Sequence, residues 1–255
     1  MNQIIETLLS RKSIRAYENR RIEPDVRAAI LKATLRAPTA GNMMLYSIID
    51  VTDQRKKDKL VKTCDNQPMI ARAPMVWLFL ADYQRWQDYF IHSNVEKLEK
   101  PMRAPEEGDL FLACCDALIA AQNAVIAAES FGLGSCYIGD IIENYEAHKE
   151  MFNLPGYVFP ICMLIFGYPT RQQKEREMTT RFNEKFIVFE NEYRQLDSTE
   201  FDEMFAERES QMPKGAAMEG VDNFGQAMYR RKFSSDFSIE MSRSAREWLK
   251  GWTKE

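Results

Sequence analysis

A chain of 255 residues can bury a substantial core as one compact unit with an extension. With 45% hydrophobic and 28% charged residues wholesale disorder is excluded, and a net charge of -4 offers no general attraction to nucleic acid or anionic lipid, so any phosphate site must be local. Five cysteines without a CxxC pair argue against a disulfide framework or a zinc site, and the two histidines, His92 and His148, leave little material for a His-centred triad and read as surface or structural residues.

In chain order, Ile4, Ile5, Leu8 and Leu9 recur at helical spacing and predict a short amphipathic helix that delivers its end to the basic run Arg11, Lys12, Ser13 and Arg15. No charged lead precedes an apolar signal core here, and no apolar run is expected to span a bilayer, which fits a reduced, cytoplasmic compartment. Pro24 suits a first helical turn, and Val26, Ala29, Ile30 and Ala33 continue a helix that must break before Pro38, leaving APTAGN as a loop. Tyr46 to Thr52 and Met75 to Ala81 read as strands on either side of a charged helical segment.

Residues 83 to 108 are charged, aromatic and proline-containing, and are expected to form a surface excursion with short helical pieces. From Asp109 to Phe131 the chain is apolar around nearly its whole circumference, which predicts a central buried helix stopped by Gly132. A short segment SCYIGD follows, then a charged helix ending near Phe152, then a buried strand from Val158 to Phe166. After Phe189 the composition shifts toward Glu, Arg, Ser and Met, with helical periodicity around Ala227 to Phe233 and Ser238 to Trp252. An amphipathic appendage, packed on its own or a neighbouring subunit, is expected there rather than a separate core.

Two basic clusters carry the chemistry. If the segment after the first helix is extended, Arg11, Ser13 and Arg15 project to one side, and two guanidinium forks with a hydroxyl make a dianion clamp. Lys174 and Arg176 follow the strand-ending FGYP, where a loop can return toward the sheet edge. Together the clusters suggest one phosphomonoester site closed from both sides, although each alone also reads as a solvated basic surface. In GLGSCYIGDI, Gly132 and Gly134 are accounted for by helix termination and a tight turn, and the GxG is a poor dinucleotide fingerprint. Gly139 is the more informative glycine, because a residue without a side chain lets a planar ring approach an exposed amide, with a plain turn glycine as the alternative.

The segments RKSIRAY, APTAGNMM, GLGSCYIGD and GYP followed by KER, in this order, resemble the nitroreductase and flavin reductase family, and the tail with RRKFSSDF and EMSRSAREWL resembles the end of its bacterial branch. The resemblance implies an α+β fold with a mixed central sheet flanked by helices, and a homodimer with two FMN sites across the subunit interface. It implies an FMN-binding domain over residues 1 to 189 and a helical C-terminal extension over 190 to 255.

By the same resemblance Arg11, Lys12, Ser13 and Arg15 hold the FMN phosphate and pyrimidine edge, and Lys174 and Arg176 complete the clamp. Pro38, Thr39, Ala40, Gly41 and Asn42 come from the other subunit, and Gln67 bonds a flavin carbonyl or the ribityl chain. Tyr137, Ile138 and Gly139 cover the ring, with the Gly139 amide at flavin N5. Two departures stand out: Met44, Leu45 and Tyr46 replace a Gln, Pro and Trp set common among relatives, and the spacing after FGYP makes Arg171 a substitute clamp candidate.

The implied activity is ping-pong hydride transfer from NADH or NADPH to a nitroaromatic, quinone or free flavin, with no catalytic side chain and no metal. Tyr83, Trp86, Tyr89 and Phe90 are candidates for an aromatic lid, with ordinary core packing as the alternative. The alternatives are an FMN carrier or sensor without turnover, a structural dimer with solvated basic faces, and a specialised reductase such as a reductive dehalogenase.

Overall fold

A computed structural model describes residues 2–212 and 220–253. Helix α1 (Gln3–Ser10) is capped by Asn2, whose side chain accepts from the amide of Ile5. Helix α2 (Pro24–Thr34) has its proline in the first turn, where no amide hydrogen is needed. Strand β1 (Tyr46–Asp50), α3 (Gln54–Thr63), α4 (Met69–Arg72), β2 (Met75–Asp82) and α5 (Gln84–His92) follow. Then come α6 (Glu107–Ser130), β3 (Gly134–Ile138), α7 (Tyr145–Phe152), β4 (Val158–Gly167) and α8 (Arg171–Glu175). The excursion expected over 83 to 108 holds α5 and a single 3-10 turn, Val95–Lys97.

The four strands lie in the order β1-β2-β4-β3, and every neighbouring pair is antiparallel. This is an α+β fold; the parallel component among the described residues is a single bridge between Ser13 and Ser135 at the β3 edge. Strand β2 is buried at every position, so it reads as a continuous apolar run rather than an alternating one. Trp77 and Phe79 face one core with Leu164 and Phe166, while Val76 and Leu78 face a second with Met163 and Ile165. Pro160 breaks the ladder where the β2-β4 register slips between Phe79 and Leu80, a place where a missing amide is tolerated. The chain from Gly134 to Ile138 forms an edge strand that alternation alone did not reveal, since it is only five residues long.

Helix α6 lays Ala113, Ala117, Ala120, Ala121, Ala124 and Ala128 against the sheet and α2. Small side chains at helical spacing bring the helix close to the sheet. Contrary to the expectation from sequence, this helix is by length and composition apolar enough to cross a membrane; here its alanine face belongs to the protein core. It ends as expected: Gly132 has φ +75°, and the amides of Gly132 and Leu133 return to the carbonyls of Glu129 and Ala128.

The described residues form two compact units, which differ from a division at residue 189. The first runs to Arg176 and resumes at Glu240; the second is Glu177 to Ile239. In the second unit α9 (Ser198–Ser210) and α10 (Phe224–Met228) carry a small aromatic cluster of Phe182, Phe205 and Phe224, with Arg208 3.8 Å over the Phe182 ring. Helix α11 (Asp236–Leu249) carries the chain from the second unit into the first. There Trp248 and Trp252 are buried in the core, Trp248 edge-on to Tyr145 at 4.6 Å and Trp252 to Tyr157 at 5.5 Å.

Candidate functional site

The segment after α1 is extended, as a clamp of alternating side chains requires. The amide of Ile14 donates to Ser135 at 2.8 Å, which lays Arg11 to Arg15 along the free edge of β3. Two glycines permit this path. A Cβ on Gly134 would lie 2.3 Å from Ile14 Cγ1, and one on Gly167 would lie 2.8 Å from the Tyr17 ring. Gly134, expected in a tight turn, is instead a position of close approach within a strand.

The second basic cluster meets the first. Lys12 Nζ donates to the carbonyls of Lys174, at 2.7 Å, and Arg176; Arg176 Nη2 donates to the carbonyl of Ser13 at 2.6 Å. Gln173 Oε1 accepts from the amide of Arg15 at 3.1 Å. The fastening is therefore main chain to side chain, and the guanidiniums of Arg11 and Arg15 make no hydrogen bond or ion pair among the described residues. Arg171 takes another course, pairing with Glu175 at 2.6 Å along α8. Arg11 also faces Glu129, whose carboxyl is pushed up to about 7 by burial and drawn back by Arg11 and Ser135.

At the far end of β3, Gln67 Nε2 donates to Asp140 at 2.9 Å, so Gln67 stands beside Gly139. Five strand residues separate the ends of this strip, roughly 16 Å. Ile138 is buried, Tyr137 and Gly139 are exposed, and the Tyr137 hydroxyl donates to Gln122 Oε1 on α6 at 3.3 Å. Gly139 has φ -80°, which any residue adopts, and nothing lies within 4 Å of where its Cβ would be. Neither backbone conformation nor packing within this chain calls for glycine there. A surface that keeps this space open beside unpaired cations fits a flat ring with a phosphorylated tail.

The Pro38 to Asn42 loop is held elsewhere in the same chain. Asp116, an acidic residue inside apolar α6 and only 2% exposed, accepts from the Thr39 hydroxyl, from the Ala40 amide at 2.9 Å and from the Leu45 amide at 3.1 Å. Gly41, Asn42 and Met44 take left-handed φ values of 55°, 58° and 51°; glycine does so freely, but Asn42 and Met44 carry side chains, and the loop stores strain there that this carboxylate holds in place. No hydrogen bond or ion pair among the described residues links the loop to the strip along β3. Trp86 Nε1 donates to the Met43 carbonyl at 2.8 Å, tying α5 to the loop. Asp116, Gln173 and Asp140 were not singled out from sequence; only Asp116 carried a signal, as a lone acid in CCDALIAA.

Of the two histidines, His148 is buried, with Nδ1 2.8 Å from the carbonyl of Ile141 and Nε2 2.8 Å from the Thr63 hydroxyl, and burial lowers its pKa. His92 is exposed at the end of α5.

Comparison with known proteins agrees with this geometry. The model of the nitroreductase family matches residues 8–168. An FMN reductase (NADPH) of Bacillus subtilis is 33% identical over 194 residues, 76% of this chain and 75% of that protein. An oxygen-insensitive NADPH nitroreductase of Salmonella typhimurium is 31% identical over 210 residues, 81% of this chain and 82% of that protein. The solved structure of NfrA2 from B. megaterium superposes with a TM-score of 0.83 at 25% identity, covering 100% of both chains. A family match over well more than half the chain, on a fold that lays its basic clusters along β3, makes this protein a member of the nitroreductase family.

Proposed function

We propose that the protein is an FMN-dependent NAD(P)H oxidoreductase acting on small electron-poor acceptors such as nitroaromatics or quinones. The observation that carries this reading is the strip along β3, from the unpaired guanidiniums of Arg11 and Arg15 to the open space at Gly139. The names of the relatives support it, an FMN reductase and an NADPH nitroreductase among them. When bound, FMN would supply two-electron redox chemistry between a reduced nicotinamide and the acceptor.

The chain's own residues bind and orient. Arg11, Arg15 and the Ser13 hydroxyl would hold the phosphate, and Lys174, now paired with Glu18, and Arg176, now bound to the Ser13 carbonyl, would close the clamp. Lys12 fastens the two segments through backbone carbonyls. Gln67, set by Asp140, would offer its carbonyl oxygen to the flavin, and the Gly139 amide would serve the ring edge. Tyr137 and Ile138 bound the ring on the strand side.

The working unit in this reading is a homodimer. Helix α6 exposes Phe111 (68%), Leu112 (51%), Leu118 and Ile119 on one side, an apolar strip that water does not favour. Tyr137 touches Gln122 beside that strip, so the site adjoins it, and Pro38, Thr39, Ala40, Gly41 and Asn42 serve the partner's site. Five free cysteines suit a reducing cytoplasm. Tyr83 and Phe90 line a cavity of about 280 Å3 with Leu98 and Met102, a place for an aromatic lid to act on acceptor choice.

Anaerobic spectroscopy tests the reading. Protein reconstituted with FMN is expected to bleach on addition of NADPH or NADH and to recover its oxidised spectrum when a nitroarene or quinone is added. Protein that stays colourless after reconstitution sinks the proposal; bound flavin that no reduced nicotinamide bleaches makes it a carrier or sensor.

A further inference from the structure

A second concentration of positive charge lies apart from the clamp. Four arginines, Arg20, Arg21, Arg27 and Arg72, line a cleft of about 600 Å3 with Tyr17 and Pro74. They come from three places in the chain: the stretch before α2, α2 itself and the end of α4. Behind Pro74 stands a further cation: Lys57, 7% exposed, whose ammonium donates to the carbonyl of Ala73 at 3.0 Å. The carboxylates nearby are already engaged. Glu23 pairs with Arg20 at 2.8 Å and accepts from the Tyr168 hydroxyl at 2.6 Å, and Asp50 pairs with Arg27. Glu18 lines the cleft and turns to Lys174 at 3.3 Å, placing a negative charge between this cleft and the clamp.

Arg21 and Arg72 are left without an ion pair or hydrogen bond among the described residues. In a protein of net charge -4, this gathers four arginines around one recess, with Lys57 behind its wall, two carboxylates paired to them and Glu18 on the lining. Guanidinium forks match phosphate oxygens in pairs, and the volume lies in the range of small-molecule sites. The Tyr17 hydroxyl is turned inward, donating to Ile14 at 2.7 Å and Ile165 at 3.3 Å, and the apolar atoms of Tyr17, Ile22 and Pro74 add a wall for the uncharged part of a ligand. We infer that this cleft binds the diphosphate group of a small phosphorylated ligand, with Arg21 and Arg72 as its principal contacts.

Calorimetry with inorganic pyrophosphate, on FMN-saturated protein at low ionic strength without divalent cations, tests the inference. One pyrophosphate per chain is expected, weakened by added salt. The Arg21→Ala, Arg72→Ala double variant should bind at least about tenfold more weakly, and Arg15→Ala, in the clamp, should bind as the parent does. Both cleft residues are exposed, so the fold is expected to survive; retained flavin content and circular dichroism check this, and the single Arg21→Gln variant, expected to weaken binding severalfold, serves if the double variant unfolds. No heat up to millimolar pyrophosphate overturns the inference. So does undiminished binding by the cleft variants, or a loss that follows Arg15→Ala instead.

Discussion

Gln67 donates its side-chain amide to Asp140 over 2.9 Å, across 73 positions of sequence. The Asp140 oxygen accepts, so it selects the rotamer that sends the Gln67 carbonyl oxygen the other way, toward whatever lies beside Gly139. Asp140→Leu should free that amide to turn over and to bond water. The expected result is about five- to tenfold weaker FMN binding with a shifted flavin absorption band, measured by titration of apoprotein. An unchanged spectrum and affinity would remove Gln67 from the site.

The clamp allows a comparison between two exposed arginines. Arg15→Ala should weaken FMN binding about ten- to a hundredfold, the usual effect of losing one charge-assisted contact. Arg171→Ala should leave it unchanged, because Arg171 is committed to Glu175. Equal losses in the two variants would show that the effect is one of general charge.

Asp116 gathers the donors of a strained loop into the middle of an apolar helix. Asp116→Ala leaves the Ala40 and Leu45 amides and the Thr39 hydroxyl without their acceptor, and should destabilise the protein by about 3 kcal/mol. Urea unfolding of the apoprotein measures this independently of cofactor. A loss below about 1 kcal/mol would mean that the loop holds its left-handed residues unaided.

Glu143 gives stability a pH dependence. Only 4% exposed, its carboxyl is pushed up to about 8 by burial first and then by Asp140 and Asp65. In the unfolded chain the same group ionises near 4.5, so between 4.5 and 8 the folded protein holds the extra proton and stability falls as pH rises. Glu143→Gln should remove this slope, with a gain on the order of 2 kcal/mol at pH 8. His148 acts in the opposite sense: burial holds it neutral, and its contribution is lost as pH falls below about 6.5. Thermal unfolding from pH 5 to 8 should therefore show the variant losing less stability than the parent as pH rises, the remaining slope following Glu129, whose carboxyl is also raised by burial.

Leu118 tests the homodimer. A charge placed by Leu118→Glu in the exposed strip of α6 should yield monomers in sedimentation velocity and lower flavin content together. A dimer that persists with full flavin would move the interface to another face.

The long elements were legible because each has a period or a stop that physics makes visible. Helix α6 announced itself by its apolar length and by Gly132, and β2 and β4 by their runs of branched and aromatic residues. The β3 edge was not legible, since Ser135 to Ile138 has neither the length nor a clear alternation, and its strand character comes from pairing with β4. The basic clusters could be read as charge at the mouths of elements. Their actual fastening uses the Lys174, Arg176 and Ser13 carbonyls, and every residue has such an oxygen, so no side-chain pattern marks it. Helix α9 lies within the expected helical extension, but its place did not show in the sequence: its capping box, Asp197 with Glu200, stands in a stretch without clear apolar periodicity.

Trp248 and Trp252 fill a core whose other walls were laid down far earlier in the chain, among them Tyr145, Tyr157 and Phe159. During synthesis those walls leave the ribosome more than eighty residues ahead of the side chains that seal them. The nascent protein must therefore carry an unsealed apolar recess until Trp252 has emerged, and truncation ahead of Trp248 would leave that recess permanently wet.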